Sequence, residues 1–160
     1  MKYIEYTKMG KNMVRANFDE WIFKSQEHEK NFLVAVLLQV LKVIRFDGTI
    51  IESPNYIKGI EEIKKLELKY EEIIKKGYFK KEYTYLKIIF EPKVLREFLD
   101  IIFQYDITFV GEAFLSEDTK ITIVLHDNDE CYFTLDKNLM KIEDYKNKFL
   151  NEIKKSNNSI

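Results

Sequence analysis

The chain has 160 residues, 46% of them apolar and 33% charged, enough to bury one sizeable core and too few for two comfortable domains. Its 26 Lys and Arg against 27 Asp and Glu leave a net charge of −1, which excludes the whole-chain basic field of a general nucleic-acid binder. The lone Cys131 excludes an internal disulfide, and the charged start "MKYIEYTKMG" lacks a secretory apolar run, so the expected home is the cytoplasm.

Met1 to Met9 alternates loosely and predicts an edge strand that Gly10 to Asn12 stops. Asn17 offers an N-cap with Glu20 at N3, predicting a short helix over "FDEWIF". Ser25 caps the next helix, with Glu27 and Glu29 in its first turn, and the helix runs to Phe46 before Asp47-Gly48 close it. Its apolar stretch "FLVAVLLQVLKVI" spans 13 residues and is broken by Gln39 and Lys42. A membrane span needs roughly 20, so this reads as a core helix. His28, beside Glu27 and Glu29 and outside any H-E-x-x-H spacing, reads as surface or capping.

Ser53-Pro54 begins a helix in which Tyr56, Ile60, Ile63, Leu66, Tyr70, Ile73 and Ile74 share one face, with Lys and Glu opposite, until Gly77 ends it. The period then changes to 2, and "YTYLKIIF" predicts a strand. Pro92 opens a helix carrying Val94, Leu95, Phe98, Leu99, Ile102 and Phe103, and the strands "ITFVGEAFL", "KITIVL" and "CYFTLD" follow. Asp136 or Asn138 caps a last helix with Leu139, Ile142, Tyr145, Phe149 and Ile153. The expectation is one α+β domain over 1–155, N-terminal helices followed by a β-α-β-β-β-α unit with a mainly antiparallel sheet covered by helices, then a disordered polar tail over 156–160.

The residues with most chemistry lie in "LHDNDECYF". Setting Leu125 opposite Cys131, Ile123 opposite Phe133 and Ile121 opposite Leu135 keeps the apolar side chains on one face. The connection is then three residues, Asp127 to Asp129, or five, His126 to Glu130. Pairing Leu115 with Ile121, Ala113 with Ile123 and Gly111 with Leu125 leaves Glu112, His126 and Glu130 together on the other face. A histidine among carboxylates is the kernel of a small hydrolase or a metal site, but a hydrogen-bonded cross-strand pair is the favoured reading. Zinc wants three or four N or S ligands, and two His with one inward-facing Cys do not supply them, so no metal or cofactor is expected.

No G-x-S-x-G, P-loop or G-x-G-x-x-G is present. E-x-K occurs at Glu62, Glu67, Glu91 and Glu152, three of them in predicted helices and one distorted by Pro92, which gives a metal nuclease little support. Lys75 to Lys87 carries five Lys against one Glu, with four Tyr or Phe, the make-up of a single-strand nucleic-acid platform using Lys80, Lys81, Tyr83, Tyr85 and Lys87. Asp106 to Glu130 has the opposite charge, seven acids against Lys120 alone. The leading expectation is therefore a non-enzymatic, cytoplasmic protein-binding module of the immunity or inhibitor kind. Its acidic turns, Glu112, Glu117, Asp118, Asp127, Asp129 and Glu130, would hold a basic partner. Consecutive hairpin turns lie at opposite ends of their shared strand, so the acids are expected to form either one field or two.

Overall fold

A computed structural model describes residues 4–51, 56–70, 74–79, 83–89 and 91–158. In chain order the elements are β1 (Glu5–Lys8), β2 (Met13–Asp19), a 3-10 turn (Glu20–Ile22), α1 (Gln26–Ala35) with a π-helical end (Val36–Val40), and β3 (Arg45–Ile51). They continue with α2 (Tyr56–Lys69), β4 (Ile74–Phe79), β5 (Tyr83–Ile89), α3 (Pro92–Gln104), β6 (Thr108–Phe114), β7 (Lys120–Asp127), β8 (Glu130–Asp136) and α4 (Ile142–Asn158). The class is α+β. Among the described residues all eight strands join one sheet, in the order β1-β2-β8-β7-β6-β3-β5-β4, and every pairing is antiparallel.

Period-2 patterning decides which face the helices cover. In β2, Val14, Ala16 and Phe18 are buried while Arg15, Asn17 and Asp19 are half-buried, and β8 repeats the pattern with Cys131, Phe133 and Leu135 inward. Phe18 centres the core, its ring 5.2 Å from Phe32 of α1, 4.9 Å from Phe133 and 5.4 Å from Phe149 of α4. Such rings each remove a large apolar area from water, and their tilted contacts fix how α1 and α4 lie on the sheet.

Three strands correct the expectation of N-terminal helices. Met13–Asp19 is β2 and not an approach to a helix, so Asn17 caps nothing; the N-cap is Asp19, whose Oδ1 accepts from the Trp21 N–H at 3.0 Å. Helix α1 ends well short of Phe46, and Arg45–Ile51 is the central strand β3. Gly48, expected as a helix stop, instead faces Gly111 of β6, where a Cβ would stand 2.5 Å from the Val110 carbonyl oxygen. Only glycine lets the two backbones pair this closely. Gly77, likewise expected to end a helix, lies within β4. Ser53 and Pro54 lie outside the described residues.

Other expectations fared differently. Ser25 does cap α1, its Oγ accepting from the His28 N–H at 3.1 Å. Leu139 precedes α4 in a turn and is 45% exposed. Helix α4 runs through 156–158 of the expected polar tail, and Ser156 is buried.

Candidate functional site

The β7–β8 turn begins the site. Asp127 pairs with Glu130, leaving Asn128 and Asp129 as a two-residue turn with φ of 50° and 66°. Left-handed backbone at both centres matches the right-handed twist of the strands, and Asn and Asp tolerate it better than most residues. The connection is thus shorter than either length expected. Ile123 pairs with Phe133 as anticipated, but β7 holds one residue more than β8 between Val124 and Asp127. The extra residue forms a bulge around His126, whose φ is 61°.

That bulge overturns the Glu112, His126, Glu130 grouping. It turns His126 toward the helices, where the side chain is 6% exposed and its ring centroid lies 4.7 Å from that of Phe103 in α3. Its N–H donates to Cys131 Sγ at 3.4 Å, its carbonyl accepts from Thr108 Oγ1 at 2.8 Å, and its Nε2 lies 2.6 Å from Asp106 Oδ1. Glu112 pairs with Thr122, four residues and about 13 Å back along β7. Its carboxylate meets Lys120 Nζ at 3.0 Å. The β6–β7 register is two residues from the one expected, with Ala113 opposite Ile121 and Gly111 opposite Ile123. A shift of two keeps every side chain on its face, so the inward set survives.

Around the turn, acids from four segments converge. The Glu20 N–H donates to the Asp129 carbonyl at 3.0 Å, and Asp19 pairs with Glu130 across β2 and β8. Beneath them Glu29 of α1 is 2% exposed, one carboxylate oxygen facing Cys131 Sγ at 3.8 Å. Burial, then the charges of Glu20, Asp129 and Asp19, push its pKa up to about 8 against a small opposing pull from the Cys131 thiol, so at neutral pH Glu29 mostly keeps its proton. Cys131 is fully buried, as its inward register requires, and burial pushes its thiol well above the ordinary range. Trp21 stands at the rim, 65% exposed, one residue beyond Glu20.

Among the described residues no Lys or Arg forms an ion pair with Asp19, Glu20, Asp127, Asp129 or Glu130. On the helices several acids are matched: Glu27 and Asp100 share Lys30 and Arg96, Glu97 meets Lys69, and Glu62 meets Lys65. Glu117 and Asp118 occupy the β6–β7 turn at the other end of β7, about 23 Å away by strand rise. The six expected partner-binding residues therefore split, with Asp127, Asp129 and Glu130 at one end, Glu117 and Asp118 at the other and Glu112 between. Asp19, Glu20, Trp21 and Glu29 join the first group from N-terminal segments, which no local pattern signalled.

The basic segment gives less. Lys80 and Lys81 lie outside the described residues, while Tyr83, Tyr85 and Lys87 belong to β5, one strand in from the sheet edge. His28 is buried, against the surface half of its reading, but does serve the capping half: one ring nitrogen accepts from the Lys24 N–H at 3.0 Å at the start of α1, and the other lies 2.7 Å from the Ile153 carbonyl of α4. Both are engaged, so His28 ties α1 to α4. A groove of about 680 Å³ between α1, α3 and α4 is lined by Arg96, Lys155 and Glu152, but Arg96 is held by Glu27 and Asn31, and Glu152 lies 3.9 Å from Lys155. Among the described residues no helix is long and apolar enough to cross a membrane. No protein-family model matches this chain, and neither a curated protein nor a solved structure matches it significantly.

Proposed function

We propose that the chain is a protein-binding module of the immunity or inhibitor kind whose acidic corner, Asp19, Glu20, Asp127, Asp129 and Glu130 around Trp21, takes a basic partner. The observation that carries this reading is the absence, among the described residues, of any ion-paired Lys or Arg at these five acids, beside an exposed tryptophan. Unmatched acids steer a cationic surface inward, and an indole face receives an arginine or lysine once the pair is partly desolvated. The β6–β7 turn, which lacks such an anchor, serves as the internal control.

The test is association with an immobilised Arg/Lys-rich peptide. A triple variant, Asp19→Asn, Asp129→Asn and Glu130→Gln, keeps the turn shape and should associate about tenfold more slowly at low salt, the difference shrinking as salt rises. The pair Glu117→Gln and Asp118→Asn should leave the rate close to wild type. Equal rates for wild type and the triple variant would place the interface elsewhere.

A further inference from the structure

We propose that Asp106, His126 and Asp129 form a binding site for a divalent ion of the zinc or manganese class. The three come from separate places, the α3–β6 connection, the β7 bulge and the β7–β8 turn, yet one ring nitrogen of His126 and one carboxylate oxygen of each aspartate all lie within 4.8 Å of one another, with Nε2 facing Asp106. Donors that share an ion at bond lengths near 2.1 Å stand about 3.5 Å apart when tetrahedral. The adjustment still required is small: the Asp106 oxygen, now 2.6 Å from His126 Nε2, moves outward and the wider-set donors draw in, a change that falls on the exposed side chains of Asp106 and Asp129. His126 need not move.

The imidazole is the built part of the site. At 6% exposure it is packed on Phe103 and aimed at the two carboxylates, while its backbone is bonded on both sides, N–H to Cys131 and C=O to Thr108. A His–Asp hydrogen bond alone would account for Asp106, but not for the Asp129 carboxylate brought within 4.8 Å of the Asp106 oxygen, where the two anions repel. A dication relieves that repulsion and the negative field of Asp19 and Glu20 nearby. One nitrogen with two carboxylates favours zinc, manganese or iron over calcium or magnesium, which prefer oxygen alone. The ion would take the Nε2 lone pair, so the ring would carry its proton on Nδ1, and the exposed side of the site would leave coordination positions for water. The site shares Asp129 with the acidic corner, but its test needs no partner, because the chain alone should hold the ion.

The experiment is titration of the full, chelator-dialysed chain with zinc chloride and, separately, manganese chloride, read by calorimetry and by thermal melting. Saturable binding of one ion per chain with a raised Tm is expected. Asp106→Asn and Asp129→Asn keep a residue that tolerates left-handed backbone, and each should weaken binding about tenfold or more, the double variant losing it, while Asp118→Asn binds as wild type. A direct readout does not depend on the variants folding: zinc should shift the ring resonances of His126 and spare those of His28. No saturable uptake, affinity unchanged in both Asn variants, or a shift at His28 in place of His126 would overturn the site.

Discussion

The two ends of the β6–β7–β8 meander both carry acids in their turns, and they differ in what lies behind them. At the β6–β7 turn, Ser116 Oγ accepts from the N–H groups of Asp118 and Thr119, and Glu117 and Asp118 extend into solvent. At the β7–β8 turn, Asn128 and Asp129 have left-handed backbone, His126 is bulged inward, and the turn backs onto a buried Glu29. The first end is a solvated turn. At the second, the fold stacks like charges over a low-dielectric interior, a costly arrangement in the absence of a counter-charge. Acidic composition is equal evidence for either end; burial and convergence separate them.

The largest expected difference between the ends is in pH-dependent stability. Glu29 has a folded pKa of about 8 against an ordinary 4.5, so between those values the folded chain holds a proton that the unfolded chain has lost. Its contribution is fully present below about pH 4.5 and is lost as pH rises through 8. Glu29→Gln should therefore flatten stability across that window and raise it by on the order of 3 kcal/mol at pH 7, in denaturant melts at several pH values. Glu117→Gln should leave the pH profile of the wild type. If both variants show the same profile, Glu29 is not held in the acidic interior described.

A smaller contrast lies in the turn backbones. Asp129→Ala places a residue without a local hydrogen-bonding side chain at φ 66° and should cost about 1 kcal/mol, whereas Asp129→Asn should cost close to nothing. Asp118→Ala, at a turn without left-handed φ, should be near neutral. A loss at Asp118 equal to that at Asp129 would remove the distinction. Finer still is chemical access at the corner: Cys131 should react slowly with a thiol reagent until denaturant is added, and Asp129→Asn should not speed it.

The C-terminal half of the fold was legible because its signals were local. From Pro92 onward, helix-period and strand-period patterning alternate, and α3, β6, β7 and β8 follow them. In the N-terminal half the strand pattern was present but masked. Val14, Ala16 and Phe18 alternate in β2 as cleanly as any strand, yet Asn17 and Glu20 resemble a helix cap; Phe46, Gly48 and Ile50 alternate in β3, but Asp47-Gly48 resembles a helix end. Glycine is ambiguous between a stop and a close backbone approach until the partner, Gly111, is known. The site was legible only in its turn. Asp127, Asp129 and Glu130 could be picked out from composition, but one bulge residue moved His126 from Glu112 to Asp106, and Asp19, Glu20 and Glu29 arrive through tertiary packing that has no sequence signature.

The most direct measurement uses the only tryptophan in the chain, Trp21, which stands at the acidic corner. Titration with an Arg/Lys-rich peptide at low salt should change its emission. The change should fade at high salt, disappear in the Asp19→Asn, Asp129→Asn, Glu130→Gln variant and persist in the Glu117→Gln, Asp118→Asn variant. Peptide binding, followed by the anisotropy of a labelled peptide, that leaves Trp21 emission unchanged or that is lost only in the Glu117, Asp118 variant would contradict the assignment of the corner.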